Sequence, residues 1–318
     1  MSMKRLERGI LLLAGVTLSA SVGWATPLAY VPNEKSGTIS VVDTAKDEVV
    51  AEIKAGSKPR GLAVSADGKR LFVSDQPDNA LLVVDLEQRA VVGKVDLGES
   101  PEGVSLSPDG KWVVAAVEVS NSVAFINSAT LQKEFSVRTR GKNPEHAVFS
   151  PDGKWLYVSA EEAEQVDVVD VAKREQTGSI PVGKRPRGIG FLPEGARAYV
   201  ASELASTVYA IDVREQKAIA TIKPGTFSNG VAIRPDGKRA YISNGKDGTV
   251  SVIDTASNTV VATVPVGQRP WNMALTPDGR KLYVANGRSN SVSVIDTETN
   301  QKLRDIPVGE LPWGVVIR

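Results

Sequence analysis

A glycine opening a proline-containing turn recurs at Gly56, Gly98, Gly141, Gly183, Gly225, Gly267 and Gly309, at intervals of 42, 43, 42, 42, 42 and 42 residues. A unit of this length is one small sheet, which can bury its faces only against the units beside it. Each unit carries four strand signals, rich in alternating Val, Ile and aromatic residues and bounded by turn residues. In the unit starting at Gly267 they run near residues 271–276, 281–285, 291–296 and 302–307. The first two are joined by Pro277-Asp278-Gly279, because glycine tolerates the positive φ of a tight hairpin. The same turn recurs at Asp67-Gly68, Asp109-Gly110, Asp152-Gly153, Glu194-Gly195 and Asp236-Gly237. The spacing predicts an all-β, seven-bladed β-propeller of four-stranded blades.

The seventh unit contains only its first strand, Pro312-Trp313-Gly314-Val315-Val316-Ile317, before the sequence stops at Arg318. Its other strands are expected at the opposite end, near residues 28–32, 37–43 and 48–53, where Asp43 joins the lattice of Asp85, Asp170, Asp212, Asp254 and Asp296. A blade shared between the termini closes the ring and removes the open edges of a linear array. The domain division is thus residues 1–25 as a leader and 26–318 as a single propeller domain.

Residues 1–25 read as a secretory signal: Lys4, Arg5 and Arg8 precede an apolar run from Ile10 to Leu18, with Ala25 or Ala20 as the last residue before cleavage. That run is too short to span a bilayer. Removing the segment takes the formal net charge from +1 to about −1, which argues against an extended basic surface for duplex nucleic acid. The absence of cysteine excludes disulfides, thiolate metal sites, a lipoprotein anchor and covalent c-type haem attachment. Export without cysteine fits a periplasm, where packing alone supplies stability.

The second strands read Tyr30-Val31-Pro32-Asn33, Phe72-Val73-Ser74-Asp75, Tyr157-Val158-Ser159, Tyr199-Val200-Ala201-Ser202, Tyr241-Ile242-Ser243-Asn244 and Tyr283-Val284-Ala285-Asn286. With the Val-Ile-Asp-Thr and Ser-Pro-Asp-Gly elements, these resemble the YVTN-repeat family of seven-bladed propellers over nearly the whole mature chain. The exported, cysteine-free form is similar to small periplasmic members, including those associated with pyrroloquinoline-quinone-dependent alcohol oxidation. A more distant likeness is to the haem d1-carrying propellers of nitrite reduction.

Residues that maintain the fold repeat in every blade, so a site is expected where equivalent positions differ. Four residues after each marker glycine, where the innermost strand should begin beside the channel, stand Arg60, Glu102, Glu145, Arg187, Asn229, Trp271 and Trp313. The next position holds Gly61, Gly103, His146, Gly188, Gly230, Asn272 and Gly314. The loops after the second strands add Asp75, Glu118, Glu161, Glu162, Glu203, Asn244 and Asn286 to the same face. Trp313, Arg60 and Trp271 are expected to form an arc suited to stacking a planar or anionic ligand. The structural alternative is that Arg60–Glu102 and Glu145–Arg187 are ion pairs between blades and that the tryptophans plug the mouth.

His146, the only histidine, can be read as a hydrogen-bonded structural residue, an axial haem ligand or a general base. Glu102, Glu118, Glu145 and Glu161 can be read as a solvated acidic rim or as ligands for a hard cation such as calcium. The lattice aspartates read as turn caps. No phosphate-cradling loop, nucleophile elbow or paired metal motif occurs. The leading functional expectation is therefore a monomeric, non-enzymatic binding or scaffold protein for a small molecule or periplasmic protein, accessory to quinoprotein oxidation. Its catalytic and metal sets are empty and it has no resident cofactor. The alternatives are a lactonase- or lyase-like hydrolytic enzyme, a haem or haem d1 carrier using His146, and a single-stranded DNA binder using the tryptophans and arginines.

Overall fold

The four strand signals of each unit pair in chain order, giving seven four-stranded antiparallel sheets. The structure, a computed structural model, describes residues 26–318, so the expected signal segment lies outside the described residues. In the blade spanning 270–307, Pro270–Leu275 lies innermost, followed outward by Lys281–Asn286, Ser291–Asp296 and Gln301–Pro307. The innermost strand begins one residue earlier than the pattern predicts, because Pro270 already faces Asn286.

Closure follows the expected route. Leu28–Asn33, Thr38–Asp43 and Glu48–Lys54 form one sheet with Val316–Ile317, in the pairing Ala29↔Ile317 and Tyr30↔Val316. The C-terminal strand is shorter than the six residues expected, but an isolated bridge between Asn33 and Pro312 and the bond from Trp313 N to Pro32 O at 2.9 Å continue the contact. We number this shared sheet blade 1. Blades 2 to 7 then span 59–96, 101–138, 144–181, 186–222, 228–265 and 270–307.

Each tetrad residue has a separate physical task. Tyr157, Tyr199, Tyr241 and Tyr283 are fully buried, each burial contributing on the order of 2 kcal/mol. Two of them also tie blades together, Tyr199 through Asn258 Oδ1 at 2.6 Å and Tyr283 through Thr44 O at 3.2 Å. The serine hydroxyls of Ser74 and Ser243 accept from Gly61 N and Gly230 N, and donate to the carbonyls of Glu102 and Trp271 in the neighbouring blade, both at 2.6 Å. Asn286 accepts from the marker Gly267 N at 3.1 Å, and a Cβ on Gly267 would lie 2.6 Å from the Asn286 Cγ. In blade 4, where Ala160 replaces the asparagine, Asp167 receives the Gly141 N–H instead at 2.8 Å.

The turns behave as predicted. Gly68, Gly110, Gly153, Gly195, Gly237 and Gly279 all have φ between +70° and +75°. Lattice aspartates cap the turns that follow them: Asp254 Oδ1, for example, accepts from Ala256 N and Ser257 N.

Candidate functional site at the channel mouth

The innermost strands do not pair continuously. In blades 2 to 7 the ladder shifts register between Pro59 and Leu62, Pro101 and Val104, Pro144 and Ala147, Pro186 and Ile189, Ser228 and Val231, and Pro270 and Met273. The two residues inside each irregularity are the pair that varies between blades. Such bulges release side chains from the alternation of a strand and re-aim them, here toward the channel.

The second member of each pair meets the backbone of the next blade. A Cβ on Gly61 would lie 2.4 Å from Glu102 O, and one on Gly230 would lie 2.5 Å from Trp271 O. With glycine at 61, 103, 188, 230 and 314, this column sends side chains into the channel below the mouth only at His146 and Asn272, beside Trp313 and an apolar wall that includes Leu62, Val104 and Ile189. The His146 ring stacks on Trp313, with centroids 5.4 Å apart and planes at 17°. Asn272 Nδ2 points at Trp313 O, 3.4 Å away. This layer separates a mouth cavity of about 300 Å³ from a lower channel cavity of about 150 Å³.

Arg60, Glu102, Glu145, Arg187, Asn229, Trp271, Asn272 and Trp313 all line the mouth cavity. His146 lines only the lower cavity. Glu118 and Glu161 join the mouth wall as expected. Asp75, Asn244 and Asn286 do not reach it: each is fully buried and hydrogen-bonded, Asp75 accepting from Ser57 N and Lys58 N in the connection from blade 1, and the asparagines bonding Ser251 and Ser293 in their own blades.

The acidic groups are not a solvated rim, since Glu102 is 1% exposed and Glu145 3%. Arg60 pairs with Glu102 and sits 3.4 Å from Glu34. Arg187 pairs with Glu145, Glu161 at 2.7 Å and Glu203 at 3.1 Å. The inter-blade ion pairs anticipated as the structural alternative therefore exist. They also correct the expected cationic arc: Arg60 is already neutralised, Trp313 is covered by His146, and Trp271 lies against Gly287 with the Arg269 guanidinium 5.8 Å from its ring.

Crowding separates the carboxyls in acidity. Burial, then the Glu145 charge, pushes Glu102 up to about 9. Burial, then Glu145, pushes Glu161 up to about 7 against the pull of Arg187 and Arg185. Glu118 is also raised by burial. Burial opposes ionisation of Glu145, yet Arg187, His146 and Arg60 outweigh it and hold its carboxyl below the usual range. Burial lowers His146.

Sequence reasoning missed Glu34, Gln76, Asn143, Arg185 and Arg269 on the cavity wall. Asn143, Arg185 and Arg269 share one lattice column, two residues before the mouth position, with φ of 59°, 59° and 54°. Glu34 and Gln76 share the column of Glu118, Glu161 and Glu203. Comparing these neighbouring columns across units would have exposed them.

The family model described as lactonase, seven-bladed β-propeller, matches residues 24–130 and 172–307. Residues 131–171, which carry Glu145, His146 and Glu161, lie between the matched segments. No curated protein sequence matches the chain. Among solved structures, the fold is shared with hydrazine synthase of Kuenenia stuttgartiensis at 24% identity and TM-score 0.77, covering 84% of this chain and 92% of that one. It is shared with a candidate 6-phosphogluconolactonase of Bacteroides uniformis at 21% identity and TM-score 0.78, covering 92% and 100%. The dihydro-haem d1 dehydrogenase NirN has the same fold at 16% identity and TM-score 0.68, covering 94% and 78%. The family match overturns the leading expectation of a non-enzymatic scaffold accessory to quinoprotein oxidation and favours the hydrolytic alternative.

Proposed function

Because the chain belongs to the seven-bladed lactonase family, we propose that it is a hydrolase that opens small cyclic esters in the mouth cavity. The observation that carries this reading is the cavity itself: about 300 Å³, lined by Trp313, which His146 backs from below, and walled by buried carboxylates, arginines and Trp271. That volume suits a five- or six-membered lactone with a short substituent. The Tyr-Val-x-Asn tetrads support a YVTN-type repeat, and the Lys4 to Ala25 segment supports action in the periplasm.

Glu161 is the general base of this proposal, since a base works best when its pKa lies near the operating pH. Its carboxylate takes a proton from water while the water oxygen bonds to the lactone carbonyl carbon. The ring C–O bond then breaks, and the proton passes from Glu161 to the released ring oxygen, leaving a hydroxy acid. Asn143 Nδ2 and Arg185 Nε, each donating to Glu161 Oε2 at 3.3 Å, orient the base, with the Arg187 charge 2.7 Å from Oε1. No resident cofactor is needed for this chemistry, and the ligand is a small molecule bound by a monomer.

The test is acid release from a panel of five- and six-membered lactones in weakly buffered indicator solution, with and without divalent ions. Wild-type protein is expected to hydrolyse at least one class, and Glu161→Gln to lower kcat/KM by about 100-fold or more. Silence of the wild type on the whole panel, or full activity in the variant, would overturn the assignment.

A further inference from the structure

The mouth wall brings one oxygen from each of Glu102, Glu118 and Glu145 within 4.8 Å of the other two. These residues come from two adjacent blades: Glu102 and Glu118 flank the inner hairpin of blade 3, and Glu145 begins blade 4. The local donors are already committed. Arg60 and Gln76 Nε2 hold Glu102 Oε1, Ser100 Oγ donates to Glu118 Oε2 at 2.5 Å, and Arg187 holds Glu145 Oε1. One oxygen of each carboxylate thus has no hydrogen-bond donor among the described residues. Glu102 Oε2 is the sharpest case, since it is wholly inaccessible and unpartnered on a side chain that lines the cavity and is 1% exposed.

A buried carboxylate oxygen without a donor is costly, and Glu102 Oε2, on a side chain crowded by the Glu118 and Glu145 carboxylates, calls for a proton or a cation beside it. The nearest cationic side chains cannot fill that place without abandoning other partners: Arg60 also serves Glu34, and Arg187 also serves Glu161 and Glu203. We infer that Glu102, Glu118 and Glu145 form a binding site for a divalent cation, and that the cation is calcium.

All-oxygen, all-carboxylate donation selects a hard ion. Ca²⁺ accepts six to eight oxygens in flexible geometry, whereas Mg²⁺ requires tight, near-octahedral placement, so carboxylates carried on three separate strand ends suit calcium. Three protein ligands leave several coordination positions for water and for one oxygen of a bound molecule, on the side open to the cavity. On the hydrolytic reading, and resting on it, that oxygen is the lactone carbonyl, which the ion polarises. The binding site itself stands without that reading.

The experiment uses the full mature protein stripped with chelator and dialysed. Calorimetry with calcium chloride should show one equivalent bound, with Kd on the order of 0.1–1 mM, the range of extracellular calcium modules. Terbium, a luminescent calcium substitute, should light up when tryptophan is excited, because Trp271 and Trp313 line the same cavity. Calcium should quench that emission competitively. Glu118→Gln and Glu102→Gln should each weaken binding at least tenfold, while Glu34→Gln, an acidic cavity residue outside the trio, should change it less than twofold. Thermal unfolding checks each variant, and Glu118→Gln carries the test if Glu102→Gln does not fold. Absence of both signals in the wild type at about 5 mM ion, or equal weakening by Glu34→Gln, would overturn the site. Calcium binding without lactone hydrolysis sinks only the hydrolytic reading. Hydrolysis at an unchanged rate in chelator sinks only the ion's part in the reaction, while the calcium titration alone decides the site.

Discussion

The imidazole of His146 lies face to face with the indole of Trp313, so a residue of blade 4 on the lower channel supports the mouth-lining indole from the segment that closes the ring. His146 Nδ1 is buried without a partner among the described residues, and burial lowers the ring's affinity for a proton. Burial and then the Arg187 charge disfavour an imidazolium there, against the Glu145 charge that favours it.

The stack should therefore resist protonation. The sole histidine gives one imidazole resonance, and in chelated, tag-free protein its titration midpoint should fall below the ordinary 6.5. Since the unfolded chain takes up this proton first as pH falls below about 6.5, the stack's contribution to stability is present above that pH and declines beneath it. His146→Phe keeps the stack but cannot titrate, so the wild-type-minus-variant stability difference should fall as pH drops through that window. A midpoint at or above 6.5 would contradict the burial argument.

Closure of the ring should be as consequential as this stack. Deleting residues 312–318 removes Trp313, the bonds joining Leu28 and Arg318 at 2.8 and 3.0 Å, and the pairing of Val316 and Ile317. Loss of this apolar burial and of one inner strand should cost several kcal/mol and expose the edge of Leu28–Asn33. Chemical denaturation of the truncated protein checks this, and an unchanged midpoint would refute the shared blade.

The repeat made the fold legible because its sterics are local. Gly267 meets Asn286, Ser243 meets Gly230 and Asp254 caps its own turn, so each requirement leaves a residue at a fixed offset in several units. The same lattice located Glu102, Glu145 and Arg187, because bulge positions are where a blade is free to differ. It did not reveal that their side chains satisfy one another. Arg60 and Glu102, 42 residues apart in sequence, become an ion pair only through the angle between adjacent blades. Nor did it separate a wet rim from a buried cluster, since exposure depends on all seven inner strands together.

The marker glycines can be tested against an internal control. At Gly267 an added methyl would lie 2.6 Å from Asn286 Cγ and 2.7 Å from its Cβ, atoms fixed by the bonds to Ser291 and Ser293. At Gly93 the nearest atom is Val83 Cβ at 3.5 Å, an ordinary contact. Gly267→Ala should cost about 1–3 kcal/mol through overpacking, whereas Gly93→Ala should be neutral or stabilising by a few tenths of a kcal/mol, with fewer unfolded conformations to lose. Urea unfolding of the pair decides it, and equal effects would show that the marker glycines are not set by this contact.

The pH dependence of lactone opening tests the base directly. Glu161 must be ionised to accept the water proton, so in chelated protein kcat/KM should rise about tenfold per pH unit below 7 and level off above about 7. Arg185 approaches Glu161 Oε2 at 3.3 Å and its charge lowers that pKa. Arg185→Gln should therefore move the rising limb to higher pH while leaving the plateau in place. Glu161→Gln should abolish the limb along with most of the rate, because an amide cannot take up the proton. A limb centred in the ordinary carboxylate range near 4.5, or one that Arg185→Gln leaves unmoved, would assign the base to a different group on the cavity wall.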